Sequence, residues 1–206
     1  MICEQRSIMP TSNQSIHIRS AEHEDDWAVR QLFGVLHAFN ASLDPRFELA
    51  EGWEQLLDEH LALVRETGRG LTLLAWDADE PVGLIMMDRH TDSRLFRHRH
   101  WVELLAIYIA PQVRGGSLAR QLLAMGTSWA VECGHDRIQL YVTASNERAK
   151  EFYQRAGFKP VQEIWRLELD SDTHQWPGDA EGFPGQEPLF PDQHDWICHP
   201  NREDEE

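Results

Sequence analysis

The segment Ile107–Leu123, IYIAPQVRGGSLARQLL, decides the fold of this 206-residue chain. Its β-branched and aromatic start predicts a strand that ends at Pro111, and the leucines at its end predict an amphipathic helix. A glycine-rich turn between strand and helix binds phosphate without a metal, because the first helical amides lack partners and carry the positive end of the dipole. Gly115 and Gly116 let the backbone approach such a ligand closely. The segment therefore predicts a pyrophosphate site.

Two common nucleotide motifs do not fit this segment. A P-loop requires a Lys-Ser/Thr pair after its last glycine, and a dinucleotide fingerprint requires G-x-G-x-x-G, whereas only the pair Gly115-Gly116 is present. The segment resembles instead the acetyl-CoA loop of the GNAT N-acetyltransferases, R/Q-x-x-G-x-G/A, with Arg114 first and Ala119 sixth. Ser117 stands where the family usually has glycine. A serine there suits a helix N-cap, and its hydroxyl is placed to meet a phosphate oxygen.

A second motif lies further along the chain, from Asn146 to Phe158. It resembles the GNAT signature N-x-x-A-x-x-[F/L]-Y-x-x-x-G-F, with every specified position filled. Asn146 suits an N-cap, the apolar residues that follow share one helical face, and Gly157 suits the left-handed residue that ends a helix. Two ordered motifs with a predicted strand between them identify the chain as a member of this family.

The resemblance implies the GNAT acyl-CoA N-acyltransferase fold, an α/β protein whose central mixed β-sheet is flanked by helices on both faces. The predicted element order, βααβββαβαβ, agrees with that arrangement. The predicted strands are Ile16–Arg19, Leu71–Trp76, Val82–Asp88, Trp101–Ile109, Ile138–Val142 and Val161–Leu169; the predicted helices are Asp26–Phe39, Glu51–Thr67, Ser117–Cys133 and Asn146–Ala156.

The resemblance also implies catalytic roles for Glu103 and Tyr153. Several GNAT enzymes place a general-base glutamate where Glu103 stands, and a solvent-facing strand residue is the alternative. Tyr153 corresponds to the tyrosine that protonates the CoA sulfur, and a core aromatic is its alternative. A main-chain N–H of Tyr108 or Ile109 is the expected oxyanion donor.

Acetyl-CoA is the implied acyl donor, with its pantetheine arm along the strand and its pyrophosphate on the loop. The residues expected to bind it are Ile107, Tyr108, Ile109, Arg114, Gly115, Gly116, Ser117, Leu118, Ala119, Arg120, Asn146, Ala149 and Tyr153. The resemblance places the acceptor near Asn40–Glu48, where Asp44 and Glu48 are either amine partners or loop caps. Aminosugars, polyamines, amino acids and protein amines all remain open as acceptors.

Composition narrows the class of protein. The net charge of −16 disfavours nucleic acid as a partner, no apolar run has the length of a membrane helix, and the first 14 residues are too polar for a signal peptide. Three scattered cysteines indicate a reducing compartment, so we expect a cytoplasmic protein. The eleven histidines show no metal-ligand spacing, and we expect no metal.

The chain divides by composition into a leader at 1–14, expected to be disordered, an acetyltransferase domain at 15–169 and a tail at 170–206. The tail contains five of the ten prolines and −10 of the net charge. It either solubilises the protein or docks on the domain or on a second subunit, which leaves a homodimer possible. A basic stretch at 89–100 is either a solvated turn or a contact for this tail.

The expected function is direct transfer of an acetyl group from acetyl-CoA to a primary amine of a small molecule, peptide or protein. Transfer of a longer acyl group is one alternative. A CoA-binding regulatory or interaction module without turnover is the other.

Overall fold

The structure, a computed structural model, describes residues 16–168. The chain divides into two units, Met1–Lys159 and Pro160–Glu206. Five strands of the first unit form one sheet in the order β1-β2-β3-β4-β5, and every neighbouring pair is antiparallel except the parallel pair β4–β5. The strands are β1 (His17–Ser20), β2 (Gly70–Asp77), β3 (Glu80–Thr91), β4 (His100–Ile109) and β5 (Ile138–Gln139).

Helices cover both faces of this sheet, as predicted. They are α1 (Asp26–Leu43), α2 (Trp53–Thr67), α3 (Leu118–Glu132) and α4 (Glu147–Arg155). Helix α3 approaches β3 closely at Gly126, where a Cβ would collide with the Sδ of Met87. Helix α2 lies over the opposite face, because its His60 Nε2 is 4.0 Å from an Asp88 carboxylate oxygen. The sheet is therefore the middle layer of three, and its central strands are buried.

An ion pair joins the first two helices. Arg65 of α2 donates to both carboxylate oxygens of Asp26 at the start of α1, at 2.8 and 2.9 Å. Asp26 is buried, and its second oxygen also lies 2.9 Å from the Nδ1 of His23. The pair fixes the relative position of the two helices that cover one face of β3 and β4.

Many of the predicted boundaries differ from the observed ones by one to four residues, and one predicted strand is absent from the described residues. Helix α1 continues past Phe39 to Leu43, because nothing before Pro45 interrupts the helix. Strand β5 is two residues long rather than five, since its pairing with β4 ends at Gln139. The predicted strand Val161–Leu169 is not found over residues 161–168, the part of it that the structure describes.

The basic stretch at 89–100 belongs to the β3–β4 hairpin. Residues up to Thr91 lie on β3, residues from His100 lie on β4, and those between form the turn. The predicted leader at 1–14 and tail at 170–206 lie outside the described residues, so their roles remain predictions. Among the helices of residues 16–168, none is both long and apolar enough to cross a membrane.

Candidate active site

The predicted phosphate loop connects β4 to α3. A 3₁₀ helix at Pro111–Val113 follows the strand, and Gly115 then takes the left-handed φ of +88°. A Cβ at Gly115 would meet no heavy atom within 4 Å, and one at Gly116 would meet only the Val113 carbonyl, at 3.8 Å. The space beside both glycines is therefore open, and the binding of a phosphate there stays a prediction.

Helix α3 begins directly after the loop with its first-turn amides available. Ser117 stands at the N-cap position, but its side chain caps no helical amide; its hydroxyl instead accepts a hydrogen bond from Gln121 Nε2 at 3.1 Å. The first amides of an α-helix have no intrahelical acceptor. An uncapped helix start beside two glycines fits the pyrophosphate of a nucleotide cofactor such as CoA.

Arg114 turns back toward the strand. Its Nε donates to the carbonyl oxygen of Ile109 at 2.7 Å, and its guanidinium lies 5.7 Å from the ring centroid of Tyr108. This hydrogen bond ties the loop to the end of β4. The guanidinium keeps four further N–H donors, and its expected proximity to a pyrophosphate stays a prediction.

Strands β4 and β5 separate soon after they meet. They pair at Val102–Ile138 and Glu103–Gln139 only, whereas β4 continues to Ile109. The edge of β4 from residue 104 onward therefore faces no strand within the described residues. The predicted pantetheine positions Ile107, Tyr108 and Ile109 lie on this open edge.

A β-bulge marks the point where the two strands separate. Met86 pairs with Ala106 and Met87 pairs with Leu104, so Leu105 is an extra residue in β4. A bulge bends the strand that contains it and strengthens its twist. The bend comes two residues after Glu103 and accompanies the loss of pairing with β5.

Glu103 lies at the last paired position before the separation. Its cross-strand partner on β3 is Asp88, and its Oε2 is 3.3 Å from the Nδ1 of His90. Directly opposite residues project from the same face of a sheet, so Glu103 shares the face of Asp88, over which α2 lies. The side chain is 21% exposed, which leaves the carboxylate accessible without being fully solvated.

Tyr153 of α4 is enclosed by aromatic rings. The ring centroids of Phe152 and Phe158 lie 5.3 and 5.5 Å from its own, both edge-on. Removal from water raises the pKa of Tyr153 to about 12. The phenol is therefore protonated throughout the neutral range and available as a proton donor. Within residues 16–168 no hydrogen bond joins it to Glu103, so the structure does not bring these two predicted groups into contact.

Both ends of α4 are capped as the sequence predicts. The Oδ1 of Asn146 accepts a hydrogen bond from the amide of Ala149 at 3.1 Å. At the other end Gly157 has a φ of +94°, and the amides of Gly157 and Phe158 donate to the carbonyls of Gln154 and Tyr153. This is a Schellman arrangement. It fixes the length of the helix that carries Tyr153.

The two residues predicted to contact the acceptor amine, Asp44 and Glu48, follow the end of α1. Asp44 accepts a hydrogen bond from the amide of Arg46 at 3.0 Å and so caps a 3₁₀ helix at Pro45–Phe47. This is the loop-cap alternative given above, and Glu48, which follows that helix, is exposed. Among residues 16–168, no group of three or more His, Cys, Asp or Glu side chains is arranged to hold a metal ion.

Sequence reasoning missed the partners of Glu103. In the sequence, His90 lies within the basic stretch at 89–100 and Asp88 is the last residue of a predicted strand, and neither position indicates a contact with Glu103. Strand alternation places residues 88 and 90 on one face and 89 on the other, and Arg89 indeed contacts Cys133 on the α3 side. The alternation was available in the sequence, whereas the pairing register was not.

The sheet with its separated strands β4 and β5, followed by a glycine loop and a helix, is the arrangement expected from the resemblance, and comparison with known proteins confirms the family. The model of the acetyltransferase (GNAT) family matches residues 34–158. The chain belongs to the GNAT acetyltransferase family.

The individual relatives match only part of this chain, at 30–37% identity. Mycothiol acetyltransferase of Corynebacterium efficiens is 33% identical over 86 residues, which are 42% of this chain and 27% of that protein. The chain spans between 21% and 40% of the length of the curated relatives it matches.

Solved structures share the fold at lower identity. A predicted acetyltransferase of Clostridium acetobutylicum, solved with acetyl-CoA, has a TM-score of 0.60 at 15% identity and covers 75% of this chain and 97% of its own. The aminoglycoside 6′-N-acetyltransferase AAC(6′)-IG of Acinetobacter haemolyticus has a TM-score of 0.55 at 16% identity, with coverages of 76% and 99%.

Proposed function

We propose that this protein transfers an acetyl group from acetyl-CoA to a primary amine, directly and within a ternary complex. One observation carries the proposal: β4 loses its parallel neighbour after Glu103 and then leads straight into the glycine loop of α3. An open strand edge that ends at an anion site suits a long amide-containing arm with a pyrophosphate at its end. Membership of the GNAT family supports this use of the edge.

Along β4, the backbone N–H and C=O groups of successive residues point alternately toward β3 and toward the open edge. The amide of Ala110 donates to Val82 on β3, so the N–H and C=O groups of Ile109 and Ile107 are directed to the other edge. Arg114 already uses the Ile109 carbonyl on that edge. Of the two expected oxyanion donors, this alternation favours the Ile109 amide over that of Tyr108, whose N–H is directed toward β3.

We assign one part of the reaction to each of three groups. Glu103 removes the proton that the acceptor amine must lose, since a free alkylamine has a pKa near 10. The Ile109 amide stabilises the negative charge that develops on the thioester oxygen. Tyr153 protonates the departing thiolate, for which a phenol with a pKa of about 12 is reliably protonated at neutral pH.

The acceptor we propose is a small molecule that carries a primary amine. Glu103 faces the side of the sheet over which α2 lies, so the acceptor approaches from there. The names of the relatives, mycothiol acetyltransferase and aminoglycoside 6′-N-acetyltransferase, support a small-molecule acceptor. A peptide amine as the acceptor is another outcome of the test below.

The test is a panel of amines assayed for CoA release with a thiol reagent, with the acetylated product confirmed by mass spectrometry. The panel contains neamine, glucosamine, spermidine, cysteine and a peptide with a free N-terminus. We expect turnover with one amine class and intersecting initial-velocity lines, as direct transfer requires. Parallel lines with an acetylated protein side chain would contradict direct transfer. Binding without release from any amine would favour the regulatory-module alternative.

A further inference from the structure

Glu103 lies beside a more exposed histidine, His90. The Nδ1 of His90 lies 3.3 Å from the Oε2 of Glu103, and the side chains are 41% and 21% exposed, respectively. The two residues are diagonal neighbours on β3 and β4, since Glu103 is opposite Asp88 and His90 is opposite Trp101. The imidazole is therefore the more solvated partner of a more enclosed carboxylate.

The imidazole is oriented by packing that does not involve Glu103. Its ring stacks on Trp101 with a centroid distance of 4.2 Å and an interplanar angle of 27°. Trp101 is buried, and the guanidinium of Arg137 lies 4.8 Å from its ring centroid. Arg137 in turn donates to the carbonyl of His98 at 2.8 Å. This packing holds the ring with its Nδ1 3.3 Å from the Glu103 carboxylate oxygen.

The other charged groups on this face are engaged elsewhere. Asp88, directly opposite Glu103, accepts a hydrogen bond from Arg69 Nε at 2.8 Å, and His60 of α2 lies 4.0 Å from its second oxygen. From β5, Glu103 faces the uncharged Gln139. Among the ion pairs of residues 16–168, His90 is therefore the titratable partner that lies within 4.0 Å of the Glu103 carboxylate.

Amine acetylation leaves one proton to discharge in each turnover. An acceptor enters as an ammonium ion with three N–H bonds, its amide product keeps one, and the CoA thiol takes one. The third proton must reach solvent, and Glu103, once protonated, must lose it before the next amine binds. A group between Glu103 and solvent would complete this cycle.

We propose that His90 orients Glu103 and conveys this proton to solvent, an inference that rests on the proposed function. The O–H bond of protonated Glu103 breaks as an N–H bond forms at His90 Nδ1, and the resulting imidazolium releases its Nε2 proton to water. Before the next turnover the neutral ring returns to its Nε2–H tautomer by proton exchange with water, which takes the Nδ1 proton and returns one to Nε2. Imidazole suits the step because its unperturbed pKa lies closest to neutral pH among side chains. His90 is a positioning residue, since it acts on the substrate through Glu103.

The test combines H90A with rescue by free imidazole, using acetyl-CoA and the amine selected by the panel. We expect H90A to lower kcat about tenfold, with the KM for acetyl-CoA within about twofold of wild type. Added imidazole should raise the H90A rate in proportion to its concentration. H90F keeps an aromatic ring next to Trp101. Its kcat should fall by the same factor as that of H90A and should not increase when imidazole is added.

His100 provides the matched control. It lies at the start of β4 on the same hairpin, and its Nδ1 contacts the Thr91 hydroxyl at 3.1 Å. H100A should keep kcat within about twofold of wild type and should not respond to imidazole. A loss in H100A equal to that in H90A would mean that the hairpin, and not the proton path, was disturbed, and would overturn the proposal.

The E103Q variant distinguishes a failure of the general-base assignment of Glu103 from a failure of the His90 proposal. If E103Q loses activity while H90A keeps wild-type kcat, the general base stands and the His90 proposal is overturned. If E103Q keeps wild-type kcat, the general-base assignment fails, and the His90 proposal fails with it. A readout without turnover is the ¹⁵N shift of His90 Nδ1 at fixed pH, which should change in E103Q and stay unchanged in D92N.

Discussion

The Nε of Arg114 donates a 2.7 Å hydrogen bond to the carbonyl oxygen of Ile109, across the 3₁₀ helix that separates strand from loop. This carbonyl lies on the open edge of β4, on the same side as the Ile109 amide. One side chain thus couples the strand edge, which we assign to the pantetheine arm, to the loop, which we assign to the pyrophosphate. The two halves of the donor site are held in a fixed relation before any ligand binds.

Replacing Arg114 should weaken donor binding more than it slows chemistry. R114Q removes the charge and the strand contact, so we expect the Kd for acetyl-CoA to rise about five- to tenfold, equivalent to roughly 1 kcal/mol for one hydrogen bond. Titration calorimetry measures this. R94Q, which removes an equal charge from the exposed β3–β4 turn, is the control and should bind normally. An unchanged Kd in R114Q would remove Arg114 from the donor site.

Replacing Tyr153 should slow chemistry and spare binding. Y153F keeps the ring between Phe152 and Phe158 and deletes only the proton donor. We expect kcat to fall at least about tenfold, with the Kd for acetyl-CoA within about twofold of wild type. Steady-state kinetics and calorimetry on the same preparation give both numbers. Full turnover by Y153F would assign the tyrosine to packing alone.

The same phenol should make stability sensitive to alkaline pH. Its pKa is about 12 in the folded protein and near 10 in an unfolded chain. Between those values the folded state binds more protons than the unfolded state, so the free energy of unfolding falls as pH rises from about 10 toward about 12. Urea unfolding at pH 9, 10 and 11 should show a shallower decline for Y153F. Tyr141 is 71% exposed, so Y141F should decline like wild type; a wild-type slope in Y153F would refute the enclosed phenol.

The Arg65–Asp26 pair should contribute strongly to stability. R65M leaves the buried carboxylate of Asp26 without its two hydrogen bonds at 2.8 and 2.9 Å, and we expect a loss of about 3 kcal/mol in the free energy of unfolding. Urea denaturation measures this. The exposed pair of Arg155 with Glu151 is the control, and R155M should cost less than about 1 kcal/mol. Equal losses in the two variants would contradict a buried role for Asp26.

The structural features that the sequence predicted well are those set by residues close together in the chain. The N-cap at Asn146, the helix that follows and the left-handed Gly157 depend on residues within a few positions of each other, and all three are confirmed. The glycine loop between β4 and α3 was predictable for the same reason. The order of strands and helices up to α4 followed because each hydrophobic pattern was long enough to show its period. The final predicted strand, Val161–Leu169, is not found over residues 161–168.

What the sequence did not predict depends on pairing across the sheet. The bulge at Leu105, the early end of β5 and the contact of His90 with Glu103 all follow from the register of β3 against β4 and β4 against β5. Register is set by packing between segments distant in the chain, which a single sequence does not display. The fold was therefore predictable, and the surroundings of Glu103 were not.

The most direct test of the central claim, that this protein uses acetyl-CoA as its acyl donor, is thermal unfolding with and without acetyl-CoA, followed by the thiol assay on the same sample. Acetyl-CoA at 100 times its Kd should add about 2.7 kcal/mol to the free energy of unfolding. It should then release thiol only when an acceptor amine is present. No stabilisation at millimolar acetyl-CoA would contradict the account, because the open loop and strand edge would then bind some other ligand.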